Sequence, residues 1–220
     1  MALQELIVRI NQISDEIPAQ LENCKELTHI GLDNKNITST IPSEIRNLTK
    51  LQKLFLWKNK LMGTVPSSFS KCRNLEELDL SYNSLTGNIP QGIFQLKKLK
   101  IIHLFYKNLS GEILENIKNC SSLIWFRVRD NKLKGPISRE IANLENLDIL
   151  DLSLNRISRN VLAEILGYRN LTYLDLHSNL ITRKLPSELS SLISLQFVEF
   201  SNNLIEGTRP LLVLPLHIIC

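Results

Sequence analysis

The chain has 220 residues, and 43% of them are apolar. This length and composition are typical of one folded domain with a sizeable core, and they exclude a disordered chain. The formal net charge is +4, but lysine and arginine are scattered and form no run that could follow nucleic-acid phosphates, so we expect no nucleic-acid partner.

Leucine recurs at a fixed interval of 24 residues. The opening leucines of the repeats are Leu3, Leu27, Leu51, Leu75, Leu99, Leu123, Leu147, Leu171 and Leu195. A constant period of this length is typical of a solenoid, in which each repeat buries its apolar face against the next. We expect eight full repeats and a partial ninth over residues 1–207, and a non-repeat apolar tail over residues 208–220.

Each repeat predicts one strand and one return segment. The alternation Leu78-Asp79-Leu80 is typical of a short strand whose leucines face inward. The third, fifth and seventh residues of each repeat then lie on the concave, solvent-facing side of one parallel sheet, with the eighth at its rim. The remainder, which ends as in Ile89-Pro90, predicts short 3₁₀ or irregular segments on the convex side. The expected fold class is an α/β solenoid.

The ninth residue of most repeats is asparagine, whose amide can bond buried backbone groups of neighbouring turns. It stands there as Asn11, Asn59, Asn83, Asn131, Asn155, Asn179 and Asn203. Lys35 and Lys107 occupy this position in the other two repeats. We expect these two turns to be weak points, each costing about 1–3 kcal/mol where no other group satisfies the backbone.

Neither end of the chain predicts an export signal or a membrane span. Met1 is followed directly by repeat sequence, without a basic segment and an apolar stretch. The tail from Leu211 to Cys220 is interrupted by Pro215 and His217, and it is about half the length that a membrane helix needs. We expect no direct membrane contact, and an apolar tail in place of a polar cap is typical of a fragment of a longer solenoid.

Cysteine and histidine recur in patterns that do not predict a reactive centre. Cysteine occupies one position of alternate repeats, at Cys24, Cys72 and Cys120, and histidine recurs three repeats apart, at His29, His103 and His177. The cysteines would be separated by about 10 Å and the histidines by about 15 Å, too far for a disulfide or a shared metal. We expect buried core cysteines, no metal and no cofactor. No catalytic motif occurs, so we do not expect an enzyme.

Five N-x-S/T sequons predict sites of N-glycosylation. They are Asn36, Asn47, Asn108, Asn119 and Asn170. The count favours a parent protein of the secretory pathway, although the repeat itself favours the sequence N-L-T and therefore accounts for part of it.

Aromatic and charged residues gather at the concave positions of repeats three to six. We expect a ligand-binding site formed by Lys53, Phe55, Trp57, Asp79, His103, Phe105, Tyr106, Trp125, Arg127 and Arg129, with Tyr82 beside them. Exposed aromatic rings beside arginines are typical of binding patches. Two guanidinium groups two residues apart on one strand can receive one carboxylate. The alternative is that Arg127 is already paired, because the register places Asp151 beside it on the next strand.

Several sequence phrases resemble one known family. These are the repeat endings Ile17-Pro18, Ile41-Pro42 and Ile89-Pro90 and the segments Leu51-Gln-Lys-Leu-Phe-Leu-Trp57 and Asn119-Cys-Ser-Ser-Leu. They are similar to the plant-specific leucine-rich repeats of subfamily XI receptor-like kinases, most of all the root meristem growth factor receptors. The resemblance implies a right-handed superhelix and a parent protein at the plasma membrane with extracellular repeats.

The same resemblance implies a function for the concave face. In these receptors an R-x-R pair, which matches Arg127 and Arg129, holds the C-terminal carboxylate of a secreted peptide hormone, and a co-receptor kinase joins the complex. The hypothesis is therefore a peptide-binding ectodomain fragment whose kinase domain lies outside this chain. Two alternatives stay open: a kinase-less or inhibitor-type repeat protein that binds another protein, and a truncated, non-functional gene product.

Overall fold

The computed structural model describes residues 2–8, 16–34, 36–106, 108–159, 170–185 and 193–207. Within these ranges, one sheet contains nine parallel strands, one from each repeat, in chain order. The strands are β1 (Glu5–Ile7), β2 (His29–Gly31), β3 (Lys53–Phe55), β4 (Glu77–Asp79), β6 (Ile101–His103), β8 (Trp125–Arg127), β10 (Ile149–Asp151), β12 (Tyr173–Asp175) and β14 (Phe197–Glu199). The predicted parallel sheet is therefore confirmed.

The register of this sheet follows the period of the sequence. Leu54 on β3 pairs with Leu78 on β4, and Ile102 on β6 pairs with Phe126 on β8. All four side chains are fully buried. Because neighbouring residues of a strand point to opposite sides, the residues before and after each of these core positions face solvent. We call this solvent-facing side of the nine-stranded sheet the open face.

A second parallel sheet of six strands runs along one flank, which the sequence analysis did not predict. Its strands are β5 (Thr86–Asn88), β7 (Asn108–Gly111), β9 (Lys132–Gly135), β11 (Arg156–Arg159), β13 (Leu180–Arg183) and β15 (Leu204–Ile205). Left-handed glycines in these strands, such as Gly87 and Gly111, break the alternating pattern that identifies strands in a sequence. The convex segments were predicted as 3₁₀ or irregular, and that side also carries this flank sheet.

Short 3₁₀ helices form the return segments of six repeats in the described ranges. They are η1 (Ala19–Asn23), η2 (Ser43–Asn47), η3 (Ser67–Lys71), η4 (Gln91–Gln95), η5 (Glu115–Asn119) and η6 (Arg139–Asn143). Proline precedes the first four, with its fixed φ suited to a helix start. Leu114 and Ser138 take its place in the next two, and the Ser138 hydroxyl accepts a hydrogen bond from the Glu140 N–H at 3.3 Å.

The ninth-position asparagines bond the backbone of consecutive repeats, as predicted. The Asn59 side chain accepts from the Ile37 N–H at 3.1 Å and donates to the carbonyls of Leu32 and Leu56 at 2.9 and 3.0 Å. The same set of bonds recurs at Asn83, Asn131, Asn155, Asn179 and Asn203. Each repeat thus satisfies buried groups of the one before it. Asn11 and the predicted weak points Lys35 and Lys107 lie outside the described residues.

The eighth residue of the repeat has a left-handed backbone conformation, whatever its side chain. This holds for Asn34, Lys58, Tyr82, Tyr106, Asp130, Leu154, Ser178 and Asn202, with φ between 52° and 57°. The turn moves the chain out of the strand just before the buried asparagine. It also places the rings of Tyr82 and Tyr106 at the rim of the open face, where both are exposed.

The core consists of inward leucines, isoleucines, valines and phenylalanines together with two of the predicted core cysteines. Cys72 and Cys120 are fully buried and Cys24 is half-buried. Burial raises the pKa of Cys72 to about 11 and that of Cys120 to about 12, so both remain thiols. No helix in the described ranges is long and apolar enough to cross a membrane. The tail 208–220 lies outside the described residues.

Candidate functional site

The open face divides into two regions of different chemistry. We call the part of the open face on β3, β4, β6 and β8, which contains the predicted binding residues, the arginine region. The acidic region follows it on β10, β12 and β14, and its members are Asp151, Asp175, His177 and Glu199. Because neighbouring parallel strands lie about 4.8 Å apart, each region extends over roughly 10–15 Å.

Arg127 and Arg129 lie on one side of β8, with the buried Val128 between them. The Cζ atom of Arg127 is 5.7 Å from the centre of the Trp125 ring, and that of Arg129 is 5.9 Å from the Tyr106 ring. Attraction between a cation and an aromatic face holds each guanidinium against its ring. The Nε atoms of both arginines are buried and have no hydrogen-bond partner.

Asp151 does not neutralise Arg127, although it stands opposite it as the register predicts. Its carboxylate accepts the Ser153 hydroxyl at 2.6 Å and the Ser153 N–H at 3.1 Å. No carboxylate in the described ranges forms an ion pair with Arg127 or Arg129. Burial raises the pKa of Asp151 above its ordinary range, against the hydrogen bonds from Ser153. The pairing that was the alternative interpretation of Arg127 is therefore not formed.

The rings of the arginine region contact one another as a group. Tyr106 stacks on Tyr82 with centroids 4.5 Å apart, and Phe105 meets Tyr82 edge-on at 5.5 Å. His103 lies parallel to Trp125 at 6.2 Å. These contacts bring five rings of three neighbouring strands into one aromatic surface beside the arginines, and aromatic pairs of this kind hold rings in place at low entropic cost.

The other predicted binding residues are half-buried, and three of them are paired. Lys53 forms an ion pair with Glu77 on the next strand, with Nζ and Oε1 2.7 Å apart. Asp79 and His103 stand opposite each other on the neighbouring strands β4 and β6, with His103 Nδ1 and Asp79 Oδ2 3.5 Å apart. The Nε2 atom of His103 is buried without a hydrogen-bond partner. Phe55 and Trp57 lie half-buried at the start of the aromatic surface. Lys53 and Asp79 are therefore less available to a ligand than the sequence analysis expected.

The acidic region brings together a histidine and two carboxylates that the sequence analysis did not connect. His177 Nδ1 lies 2.7 Å from Asp175 Oδ1 and 3.9 Å from Glu199 Oε2. Burial, together with the charges of Asp175 and Asp151, raises the pKa of Tyr173 to about 12. The spacing of about 15 Å excludes a metal ion shared between two histidines, but not one shared between a histidine and carboxylates. The sequence signal that could have revealed this cluster is Asp-x-His followed one repeat later by Glu.

The predicted glycosylation sites differ in accessibility. Asn36, Asn108 and Asn119 are exposed. Asn170 is also exposed, but its Nδ2 donates to a backbone carbonyl at 2.8 Å. Asn47 is half-buried, and its amide donates to the Glu22 carboxylate. Modification of the last two nitrogens would therefore require an existing hydrogen bond to break.

Two parallel sheets that follow the repeats, an asparagine in most turns and a 24-residue period define a leucine-rich repeat solenoid. The chain belongs to the leucine-rich repeat family. Two family descriptions match it, Leucine rich repeat over residues 49–109 and Leucine Rich Repeat over residues 170–192. No curated protein sequence matches it significantly.

Solved structures refine this assignment. The chain is 39% identical to the plant peptide hormone receptor RGFR1, solved in complex with RGF2, with a TM-score of 0.87 over 94% of this chain and 37% of that one. It is 37% identical to the Arabidopsis receptor kinase HAESA, solved with the peptide hormone IDA and the co-receptor SERK1, with a TM-score of 0.89 over 95% of this chain and 35% of that one. The predicted resemblance to plant receptor kinase ectodomains is confirmed.

A plant ice-binding protein has the same fold, with 31% identity and a TM-score of 0.84 over 94% of this chain and 67% of that one. Leucine-rich repeats thus occur with different functions on one backbone, so the fold alone does not assign a function. The chain spans little more than a third of the two receptor structures that it matches.

Proposed function

We propose that the open face binds an extended peptide whose free C-terminal carboxylate is held by Arg127 and Arg129. The carboxylate would accept hydrogen bonds from the two guanidinium groups, and the aromatic surface would contact the body of the peptide. The observation that supports this most directly is that both arginines lack a carboxylate partner while their Nε atoms are buried and unbonded. Guanidinium groups without a carboxylate partner can donate charge-assisted hydrogen bonds to an anionic ligand through their terminal nitrogens.

The arrangement of the rings supports an extended ligand. Phe55 and Trp57, in the repeat of β3, and the five rings of the aromatic surface, in the repeats of β4, β6 and β8, follow one another across the sheet in the direction of β1. From β8 to β1 there are five strand spacings of about 4.8 Å, or about 24 Å, which an extended chain of roughly seven residues spans. A longer ligand would extend beyond the described repeats.

The solved relatives support the same interpretation at the level of the ligand class. RGFR1 and HAESA were both solved with peptide hormones, and HAESA also with a co-receptor. By analogy, we propose that this chain is an ectodomain segment of a plasma-membrane receptor kinase, that its peptide is a secreted hormone, and that a co-receptor kinase joins the complex. The kinase activity would belong to another part of the receptor.

A paired peptide library tests the proposal. Randomised heptapeptides, made once as free acids and once as C-terminal amides, are panned against the purified chain, and the selected sequences are titrated in both forms by calorimetry. We expect the free acid to bind at least about tenfold more tightly, because the amide removes the charge that the two guanidinium groups receive. The Arg127→Ala and Arg129→Ala variants should lose most of this difference.

The matched control is Arg156→Ala, which removes an exposed arginine from the flank sheet. It should leave both affinities unchanged. Equal affinity for acid and amide, or an equal loss in the control, would contradict the carboxylate role. Failure of the library to yield any binder would contradict peptide binding by this segment as a whole.

A further inference from the structure

Three side chains of the acidic region converge from two neighbouring strands. Asp175 ends β12, His177 follows it two residues later, and Glu199 ends β14 beside them. One nitrogen of the histidine and one oxygen of each carboxylate all lie within 4.8 Å of one another. Asp175 is buried, and the other two are half-buried and reach the open face.

The oxygen atoms that do not face this cluster are held by hydroxyl groups. Glu199 Oε1 accepts the Ser201 hydroxyl at 2.6 Å, and Asp175 Oδ2 accepts the Tyr173 hydroxyl at 3.3 Å. The inward oxygens are therefore Asp175 Oδ1 and Glu199 Oε2. Outer hydrogen bonds of this kind orient carboxylates in metal sites and are as characteristic of them as the ligands themselves.

The negative charge of the acidic region has no strong cationic partner. Among the described side chains, no lysine or arginine forms an ion pair with Asp151, Asp175 or Glu199, and His177 is the group that contacts the last two. These three carboxylates lie on adjacent strands and two of them are buried, which favours a bound cation.

We propose that Asp175, His177 and Glu199 form a binding site for a single divalent transition-metal ion, with Zn²⁺ as the ion that fits best. Imidazole nitrogen and carboxylate oxygen are both zinc ligands, and three protein ligands leave the fourth position of a tetrahedral zinc ion open to water. In a tetrahedron with bonds of about 2.1 Å, neighbouring ligand atoms lie about 3.4 Å apart. The two distances from His177 Nδ1, 2.7 and 3.9 Å, lie on either side of that value, and all three ligand atoms lie within 4.8 Å of one another.

The test uses the purified full chain, stripped with a chelator and titrated with zinc chloride by calorimetry. We expect one zinc ion per chain in the site. His177→Ala and Glu199→Gln should each weaken binding by at least about tenfold. Glu199→Gln keeps the acceptor for Ser201, so it separates a lost ligand from a lost fold. The matched control is His29→Ala, since His29 faces one carboxylate, that of Glu5, rather than two.

A second readout excludes the thiols, because Cys24 is only half-buried. Cobalt(II) replaces zinc, and its spectrum should show no sulfur-to-metal charge-transfer band while the visible bands disappear in His177→Ala. Excess calcium or magnesium should not displace the ion, since these cations prefer sites made of oxygen alone. Zinc binding that is absent, or equal in wild type and His177→Ala, would overturn the proposal. Neither result depends on whether a peptide binds.

Discussion

Strands β8 and β10 carry Arg127 and Asp151 at the same position of the repeat, in direct register. Arg127 lies over an aromatic ring and has no carboxylate partner in the described chain, whereas Asp151 is buried and bonded to Ser153. The arginine region thus offers donors, and the acidic region offers acceptors whose outer atoms are already bonded. The position of a residue in the repeat determines where its side chain lies on the open face. The neighbours of that side chain on the same strand determine which kind of ligand it can bind.

The strongest way to break this comparison is to remove the asparagine that joins the two regions. Asn155 donates to the carbonyls of Val128 and Leu152 at 3.0 and 3.1 Å and accepts from the Leu133 N–H at 3.0 Å. We expect Asn155→Ala to lower the free energy of unfolding by about 3–5 kcal/mol, because several buried groups lose their partners. Chemical denaturation measures it. Asn143→Ala, at an exposed position, should change it by less than about 0.5 kcal/mol.

A decrease in unfolding free energy as small for Asn155→Ala as for the control would show that the asparagine bonds do not stabilise the junction between the two regions. A cooperative melt of the wild-type chain, followed by circular dichroism, is the necessary baseline. It would also contradict the alternative that the chain is a truncated product without a stable fold.

A second change gives the arginine region the asparagine that one of its turns lacks. Its ladder of asparagines is interrupted at Lys107, whereas the acidic region has asparagine in every turn. Because Asn83 accepts from the N–H 22 residues earlier, at Leu61, the corresponding donor for position 107 is the Leu85 N–H. We expect Lys107→Asn to stabilise the chain by about 1–2 kcal/mol. A thermal melt checks it, and Lys132→Asn on the flank sheet should have no such effect.

A third change tests whether the aromatic contacts hold the arginine region ready for a ligand. Tyr106 both stacks on Tyr82 and supports the Arg129 guanidinium. Tyr106→Ala should weaken binding of a selected free-acid heptapeptide by about tenfold, because Arg129 loses its support and the peptide loses contact area. Tyr82→Phe keeps the ring and should bind nearly as the wild type does. Unchanged affinity in Tyr106→Ala would mean that the rings do not prepare the site.

The smallest effect is expected at the boundary of the two regions. Since burial raises the pKa of Asp151, its ionisation opposes folding. The stability that this group contributes is present below its unfolded pKa and is lost as the pH rises through its folded pKa. Asp151→Asn should therefore raise the unfolding free energy at pH 7, by about 0.5 kcal/mol, and have no stabilising effect at a pH below the ordinary value of 3.8. Glu145→Gln, at an exposed position, should show no such pH dependence.

The frame was predictable because its cause is periodic. The 24-residue period of leucine predicted the nine strands and their register, and the asparagine at the ninth position predicted the bonds between repeats. The structure contains all three features. The flank sheet was not predictable from alternation, because its strands contain left-handed residues, among them Arg159 where glycine is usual. A backbone pairing that depends on such a bend has no two-residue hydrophobic pattern.

Side-chain partners within the frame were harder to predict. The register correctly placed Asp151 beside Arg127, but register does not determine rotamers, and each side chain found a closer partner on its own strand. His177 likewise contacts Asp175, two residues earlier on the same side of the chain. A comparison of histidines between repeats does not reveal this contact. Contacts two residues apart on one strand are as important here as contacts across strands.

The asparagine bonds also make the distance between the two regions adjustable. Each ninth-position asparagine in the described chain makes the same set of bonds to the repeat before it, so a whole 24-residue unit that carries this asparagine can be added or removed without creating a new kind of junction. Each such event between β8 and β10 would change the separation of the arginine region and the acidic region by one increment of about 4.8 Å. Unequal recombination between repeats would thus move the two regions apart or together in fixed steps, while each region keeps its own side chains.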